Sequence, residues 1–506
     1  MQYLLKHIDA LLDRFTMYRL TLYVLSGLVV IAVIEGAVGL LPYTPVAILL
    51  STVLAVATCW GVNELGARLT RAATSVESAY ITAFILALIL PPIAFGNSSS
   101  MWVVIVASVV AMGSKYILAI RKKHIFNPAA FGVAVTAFAM GGYANWWVGG
   151  NLALLPFVLI GGLAIVRKLR RFDLVLSFFV VALAAIITTT PSSNVITTGT
   201  LVLLHTPLLF FAFVMLTEPL TTPPSRRLRI GYAALTGIVF APAFHIGGFY
   251  SSPELALLVG NLFSYVVSPK GRTALTLVRT EETSASTRDF IFRPDRPFAF
   301  QAGQYLEWTL PHAKPDGRGT RRFFTIASSP TEADIRLGVK FYPKPSSFKQ
   351  ALSALHEGSR LFATQLGGEF ILPKDPRKKL VFIAGGIGIT PFRSHLQYVL
   401  DRNEVRDIVL VYGNRTPSDI AYASVLSEAE KRLHTKVVHV VSDGAEPGMH
   451  SGVIDAPLIK TEIPDYQERV FYISGPQAMV TGIKSMLLTL GVSRSAIHTD
   501  YFVGLA

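Results

Sequence analysis

Val381-Phe382-Ile383-Ala384-Gly385-Gly386-Ile387-Gly388-Ile389-Thr390-Pro391 is the stretch from which the rest of the chain can be read. Its apolar, β-branched opening predicts a buried strand, and the glycines let the backbone turn sharply. Pro391 stands where a helix can begin, because its missing N–H would have no intrahelical partner there. The helix that follows keeps an apolar face through Phe392, His395, Leu396 and Leu400. Strand, glycine turn and helix N-terminus together make a pyrophosphate site, with bare amides and the helix dipole aimed at the charge. Alone, such a turn is weak, since ordinary strand–helix loops also use glycine. Its neighbours decide its meaning.

Residues 378–506 alternate strand and helix, with strands expected at Lys379–Ala384, Asp407–Tyr412, Lys436–Val441 and Arg469–Ile473. That pattern predicts a parallel sheet with crossover helices. Before it, residues 273–375 read as short alternating strands at Ala274–Val278, Thr287–Arg293, Tyr305–Leu310, Phe323–Ile326, Ile335–Phe341 and Arg360–Ala363. Strands at that spacing predict a small β-barrel.

At 506 residues the chain is too long for one core. Composition changes near residue 270, from long apolar runs with few acids to the charge of a soluble domain. The first half holds about ten apolar stretches, most near the ~20 residues that cross a bilayer. They run over 18–40, 44–62, 79–97, 101–120, 128–146, 152–166, 172–190, 200–216, 230–247 and 253–268. No cleavable signal is evident near Lys6, Asp9, Asp13 and Arg14. The fold class is therefore multidomain: a polytopic helical membrane domain over 1–269, a β-barrel over 270–376 and a parallel-sheet domain over 377–506.

Basic residues gather at alternate loops: Lys6, Arg14 and Arg19; Arg68 and Arg71; Arg121, Lys122 and Lys123; Arg167, Lys168, Arg170 and Arg171; Arg226, Arg227 and Arg229; Lys270 and Arg272. Loops such as 142–151 and 188–200 carry none. By the positive-inside rule both termini and the second half lie in the cytoplasm, on a multi-pass inner-membrane protein. This distribution also accounts for much of the net charge of +14, so nucleic acid is not the expected partner. The single Cys59 excludes a disulfide framework and any all-cysteine cluster or zinc site within the chain. Intramembrane His205 and His245 stand one per stretch, without the paired spacing of haem ligands, and no metal site is expected.

Proline and glycine interrupt the first half at Leu90-Pro91-Pro92, at Phe126-Asn127-Pro128-Ala129-Ala130 and at Thr217-Glu218-Pro219. By physics alone these read as tight turns rather than helix breaks lining a cavity. With Pro253-Glu254 and Gly260-Asn261 they nevertheless resemble the RnfD/NqrB family of ten-span membrane flavoprotein subunits, over most of residues 20–268. The family's Ser-Gly-Ala-Thr motif for esterified FMN is missing, because the loop at 141–151 has no Ser or Thr and Thr197-Thr198-Gly199-Thr200 lies elsewhere. What the resemblance leaves is a second, non-covalent flavin in the membrane domain, or a quinone.

Residues 273–506 resemble the ferredoxin–NADP reductase superfamily. Gly303-Gln304-Tyr305 followed by Arg322-Phe323-Phe324-Thr325-Ile326-Ala327-Ser328 is similar to its flavin motif. The resemblance implies that Arg322 pairs with a flavin phosphate, Phe324 stacks on the ring with Phe323 beside it, and Thr325 reaches N5, with Ser328 closing the motif. Charge pairing and ring stacking suit those residue types. Lys340 leads to Ser346 and Ser347, the superfamily's second phosphate segment, and Gly367-Gly368-Glu369-Phe370 fits the turn that closes the barrel. FAD is expected, with FMN the alternative. Gly385, Gly386, Gly388, Thr390 and Pro391 match the motif for NAD(P)H. Arg415, after the second strand, falls where the adenosine ribose should lie, and its Thr-Pro-Ser-Asp continuation resembles NADH-type members. Ser474, in Ser474-Gly475-Pro476, takes the place of the superfamily's cysteine beside the nicotinamide. Tyr501 and Phe502 resemble its acid–aromatic terminal segment near the flavin, or are core aromatics.

Together these readings imply a membrane-bound oxidoreductase that carries electrons from NAD(P)H through a flavin to a bound flavin, a quinone or a partner protein. The alternatives are a redox-driven ion-translocating subunit and a reductase module anchored within a larger complex.

Overall fold

The computed structural model describes residues 8–502 except 10, 13–14, 71–75, 95, 97, 121–122, 142–143, 191–193, 247–248, 269–272, 298 and 317–318. Of the basic residues used for orientation, Lys6, Arg14, Arg71, Arg121, Lys122, Lys270 and Arg272 lie outside the described residues. The chain divides into two units, Met1–Gly271 and Arg272–Ala506.

The first unit is helical around one apolar core. Among the described residues four helices are long and apolar enough to cross a membrane: Met17–Val38, Pro45–Thr70, Ser98–Ile117 and Phe172–Thr189. A fifth is reached if Val195–His205 and Leu208–Met215, bent by 65°, form one span. This corrects the expectation of about ten. Apolar runs continue where helices do not: Val76–Ile89 stops at Leu90-Pro91-Pro92, and Pro128–Met140 stops at Gly141, whose φ is +66°. A 15-residue helix such as Pro253–Val267 rises only about 22 Å, short of the ~30 Å hydrocarbon core. The carbonyl left at the end of Val76–Ile89 is taken up from elsewhere. Asn145 and Trp146 N–H groups both donate to Ile89 O at 3.0 Å, and Trp147 Nε1 donates to Leu90 O at 3.0 Å.

The interrupted motifs of this unit meet. Asn127 caps the helix after it, its N–H donates to Asn261 Oδ1 at 2.7 Å, and its Nδ2 donates to Glu218 Oε2 at 2.9 Å. Thr221 Oγ1 donates to the same carboxylate at 3.0 Å, and Trp146 Nε1 donates to Glu254 Oε2 at 3.1 Å.

The second unit opens with strands β1 (Thr273–Ser284), β2 (Thr287–Pro294), β3 (Tyr305–Thr309), β4 (Arg321–Thr325) and β5 (Ile335–Lys340). Helix α1 (Ser347–Ser353) and strand β6 (Arg360–Gly367) follow. All pair antiparallel, in the order β4-β3-β6-β1-β2-β5. Among the described residues the end strands β4 and β5 are not paired with each other, so the sheet is a half-barrel where a small β-barrel was expected. Its concave side is filled by Leu275, Phe290, Phe292, Leu306, Trp308 and Leu337.

The remainder is β7 (Leu380–Gly385), α2 (Thr390–Asp401), β8 (Ile408–Asn414), α3 (Ala423–Leu433), β9 (Lys436–Val441) and β10 (His450–Ser451). It ends with α4 (Ala456–Glu462), β11 (Val470–Pro476), α5 (Gln477–Thr489) and β12 (Ile497–Phe502). The six strands are parallel, in the order β10-β9-β8-β7-β11-β12. Strand alternation sends Leu380, Phe382 and Ala384 toward α2 and α3, and Val381 and Ile383 toward α4 and α5. Both faces are covered, which is why the strand is apolar throughout.

Candidate active site

From β7 the chain winds outward through β8 and β9 to β10, then crosses back to β11 on the other side of β7. The winding reverses between β7 and β11, and a crevice at the carboxyl ends of such strands is where open α/β sheets take ligands. Gly385 ends β7 there, a 3₁₀ turn covers Gly386–Ile389, and α2 begins at Thr390 with Pro391 in its first turn. Two backbones pass too closely for side chains. A Cβ on Gly388 would lie 2.3 Å from Ser474 O and 2.6 Å from Gly475 Cα, and one on Gly475 would lie 3.1 Å from Gly385 Cα. Gly386 differs: its φ is +52° and a Cβ there would have no neighbour within 4 Å, so the left-handed backbone and not crowding calls for glycine.

Gly385, Gly386, Gly388, Thr390, Pro391, Ser474, Gly475 and Pro476 are thus brought together. The Ser474 hydroxyl is fully buried and has no hydrogen-bond partner among the described residues. Thr390 Oγ1 is used locally, donating to Ile387 O at 3.1 Å. Pairing also sets the backbone of residues 501 and 502 beside Gly475 and Pro476, while the Tyr501 and Phe502 side chains lie outside the described residues.

The half-barrel forms a second cluster. On β4, Arg322 and Phe324 share one face, and Phe323 and Thr325 the other. The Arg322 guanidinium lies 5.2 Å from the centre of the Phe348 ring and donates to Asp316 Oδ1 at 3.1 Å. The Phe324 ring is 5.8 Å from the same Phe348, so it packs inward and is half-buried. Phe323 is the exposed ring, at 44%, and meets Tyr305 edge-on at 5.6 Å. Ser346 caps α1 by accepting from Lys349 N, and Ser347 Oγ accepts from Asp316 N at 2.9 Å. Thr325 is buried, and its hydroxyl, like that of Ser474, has no partner among the described residues.

Other expected site residues stand apart. Lys340 Nζ donates to Asp419 Oδ1 at 3.1 Å instead of turning toward Ser346. Ser328 Oγ accepts from Arg336 N at 3.1 Å, a barrel contact. Arg415 is at the surface, paired with Asp443 Oδ2 at 3.0 Å.

Three consecutive side chains of α2 reach the half-barrel. Arg393 donates to Ala327 O at 3.1 Å and to Glu332, Ser394 Oγ donates to Ser328 O at 2.6 Å, and His395 Nε2 faces Ala302 O at 3.1 Å and Phe370 O at 3.0 Å. All three side chains are buried. Both oxygens facing His395 are carbonyls, so Nε2 carries the hydrogen and Nδ1 is the bare nitrogen. His395 reads in the sequence as part of an apolar face, and Arg393 and Ser394 carry no expected role; the available signal is three polar side chains in a row on a helix with an apolar face.

Burial pushes the His395 pKa down from 6.5 to about 4. Because the unfolded chain takes up this proton at higher pH than the folded one, stability is full above 6.5 and falls as pH drops from 6.5 toward 4. His395→Gln, which keeps a donor, should flatten that decline in unfolding midpoints measured across the range.

Residues 382–485 match the family model described as the oxidoreductase NAD-binding domain. The glycine betaine monooxygenase reductase subunit of Chromohalobacter salexigens is 28% identical over 240 residues, which is 46% of this chain and 64% of that protein. The flavohemoprotein of Bacillus subtilis is 26% identical over 236 residues, 45% of this chain and 58% of the relative. The chain therefore spans less than two thirds of the length of these relatives. A crystal structure of an Amycolatopsis cytochrome P450 reductase is 25% identical, with a TM-score of 0.42, covering 46% of this chain and 69% of its own. These similarities are to oxidoreductases with an NAD-binding domain, and they fall in the C-terminal half of the chain.

Proposed function

We propose that the protein is an NAD(P)H-dependent flavin oxidoreductase that delivers electrons to an acceptor at the membrane. Residues 1–269 are its membrane domain, 270–376 its flavin domain and 377–506 its nucleotide domain, with both termini in the cytoplasm. The observation that carries this reading is the Gly388–Ser474–Gly475 contact at the reversal of the parallel sheet, with the left-handed Gly386 in the same turn. Bound there, a pyrophosphate meets backbone amides and the first turn of α2. Flavin, when bound, supplies the conversion of a two-electron hydride into single electrons.

The chain's own residues position and exclude water. Arg322 and the segment at Ser346–Ser347 hold the flavin phosphates, with FAD preferred over FMN. Thr325 and Ser474 offer buried, unengaged hydroxyls to the flavin and the nicotinamide. The Asp443 carboxylate beside Arg415 disfavours a 2′-phosphate, so NADH is the preferred donor. The acceptor is a non-covalent flavin of the RnfD/NqrB-like half, a quinone or a redox partner protein. The partly buried Glu218, held by the buried Asn127 and Thr221, favours a second reading, redox-driven ion translocation.

The test is acid-releasable flavin per purified chain, followed by anaerobic bleaching of that flavin with NADH and with NADPH. Flavin that NADH bleaches supports the reading; a chain without flavin, or flavin inert to both nucleotides, refutes it. Thr325→Val supplies a second check. Removing an unsatisfied buried hydroxyl should raise the stability of the flavin-free chain by about 1 kcal/mol. The same change should slow bleaching by about tenfold or more, a loss of one positioned polar contact.

A further inference from the structure

Glu307 lies on β3 with 1% of its surface exposed. A buried carboxyl ordinarily has a cation in direct contact. Here both close donors are neutral: Thr364 Oγ1 at 3.1 Å and Gln365 Nε2 at 3.3 Å, each to Oε2. Among the described residues the charged group that faces it is Arg321 of β4, at 3.9 Å and one-third exposed, and burial raises the Glu307 pKa.

The backbone is irregular at the same point. Between Glu307 and Tyr305, β3 advances two residues while its partner β6 advances three, from Thr364 to Gly367. The extra length holds Gln365 at φ +51°, a left-handed conformation that non-glycine residues rarely adopt. Such strain persists where surrounding structure enforces it, and here it accompanies an amide delivered to the buried acid. Glu307 pairs across from Phe323, and Tyr305 across from Thr325. The acid therefore shares a sheet face with the unpartnered Thr325 hydroxyl, as its diagonal neighbour on the adjacent strand.

We infer that Glu307 is the proton-exchanging group of the flavin site, working through Thr325. This rests on the flavin reading above. A hydride from NAD(P)H brings one hydrogen nucleus and two electrons. When a one-electron acceptor removes those electrons in turn, the hydrogen nucleus must leave as H⁺. Glu307 receives it from the Thr325 side and releases it to solvent past Arg321.

The experiment follows proton release with a pH indicator while the NADH-reduced, flavin-loaded full chain is reoxidised by ferricyanide. In the wild type, release should keep pace with electron loss. In Glu307→Gln it should lag at least about tenfold, and Glu307→Asp should restore part of the rate. The pH dependence of the flavin midpoint potential gives a readout independent of turnover, and its break should vanish in Glu307→Gln. Wild-type proton release and an unchanged break in that variant would overturn the inference. Should Glu307→Gln fail to fold, Glu307→Asp and Thr325→Val carry the test, and wild-type release in both overturns it. A wild-type chain that binds no flavin instead overturns the parent reading.

Discussion

Gly388→Ala should slow flavin reduction by NADH at least about 100-fold while leaving the flavin bound, the scale of loss that a 1 Å misplacement of reacting groups produces. The added methyl would meet Ser474 O at 2.3 Å and Gly475 Cα at 2.6 Å, both main-chain atoms at the carboxyl end of β11. Neither can swing aside as a side-chain tip does, so the turn after β7 must part from β11 at the point where the nucleotide is expected. Nothing in this change touches Arg322, Thr325 or Phe348. Rapid-mixing bleaching in anaerobic buffer measures the loss, and flavin content per chain measures what is spared. Gly385→Ala is the comparison: its methyl would meet the Met479 Sδ at 2.2 Å, the flexible end of a side chain. That variant should keep a substantial rate. Equal effects from the two would refute the role given to the Gly388 contact.

Gly303→Ala should destabilise the reductase unit by about 3 kcal/mol or more and release its flavin, since strain and a steric clash add. Gly303 has φ +85°, and its Cβ would lie 2.0 Å from Phe370 O and 2.4 Å from His395 Nε2. It would enter the very hydrogen bond by which α2 holds two barrel segments. Gly358→Ala isolates the conformational part: φ is +84° and no atom lies within 4 Å of the new methyl, so about 1 kcal/mol is expected. Unfolding midpoints of the two variants, compared in one buffer, decide whether the junction or merely the backbone conformation matters.

Much of the reductase half could be read in advance because its signals are local. Val381 to Ala384 are apolar on both strand faces, which only a sheet covered on both sides requires, and glycine at 388 is dictated by backbone approach. The β12 strand was hidden, because Ile497–Phe502 carries polar residues at the sheet margin. The count of spans failed for a different reason. Hydropathy sums over residues, whereas Pro91 and Gly141 end helices within stretches that stay apolar. Arg393, Ser394, His395 and Glu307 were not legible in this way, since their partners are main-chain atoms or side chains distant in sequence. A bulge at Gln365 leaves no mark in composition.

The reach of Arg393, Ser394 and His395 has a consequence for synthesis. The carbonyls they satisfy, at residues 302, 327, 328 and 370, belong to loops of the half-barrel, which leave the ribosome before α2. Domains emerging early commonly fold early. This one cannot complete its polar pairing until a helix beginning at Thr390 has been translated. A chain stalled or cut before residue 390 therefore presents the half-barrel with bare carbonyls, a form that quality-control proteases should recognise as unfinished.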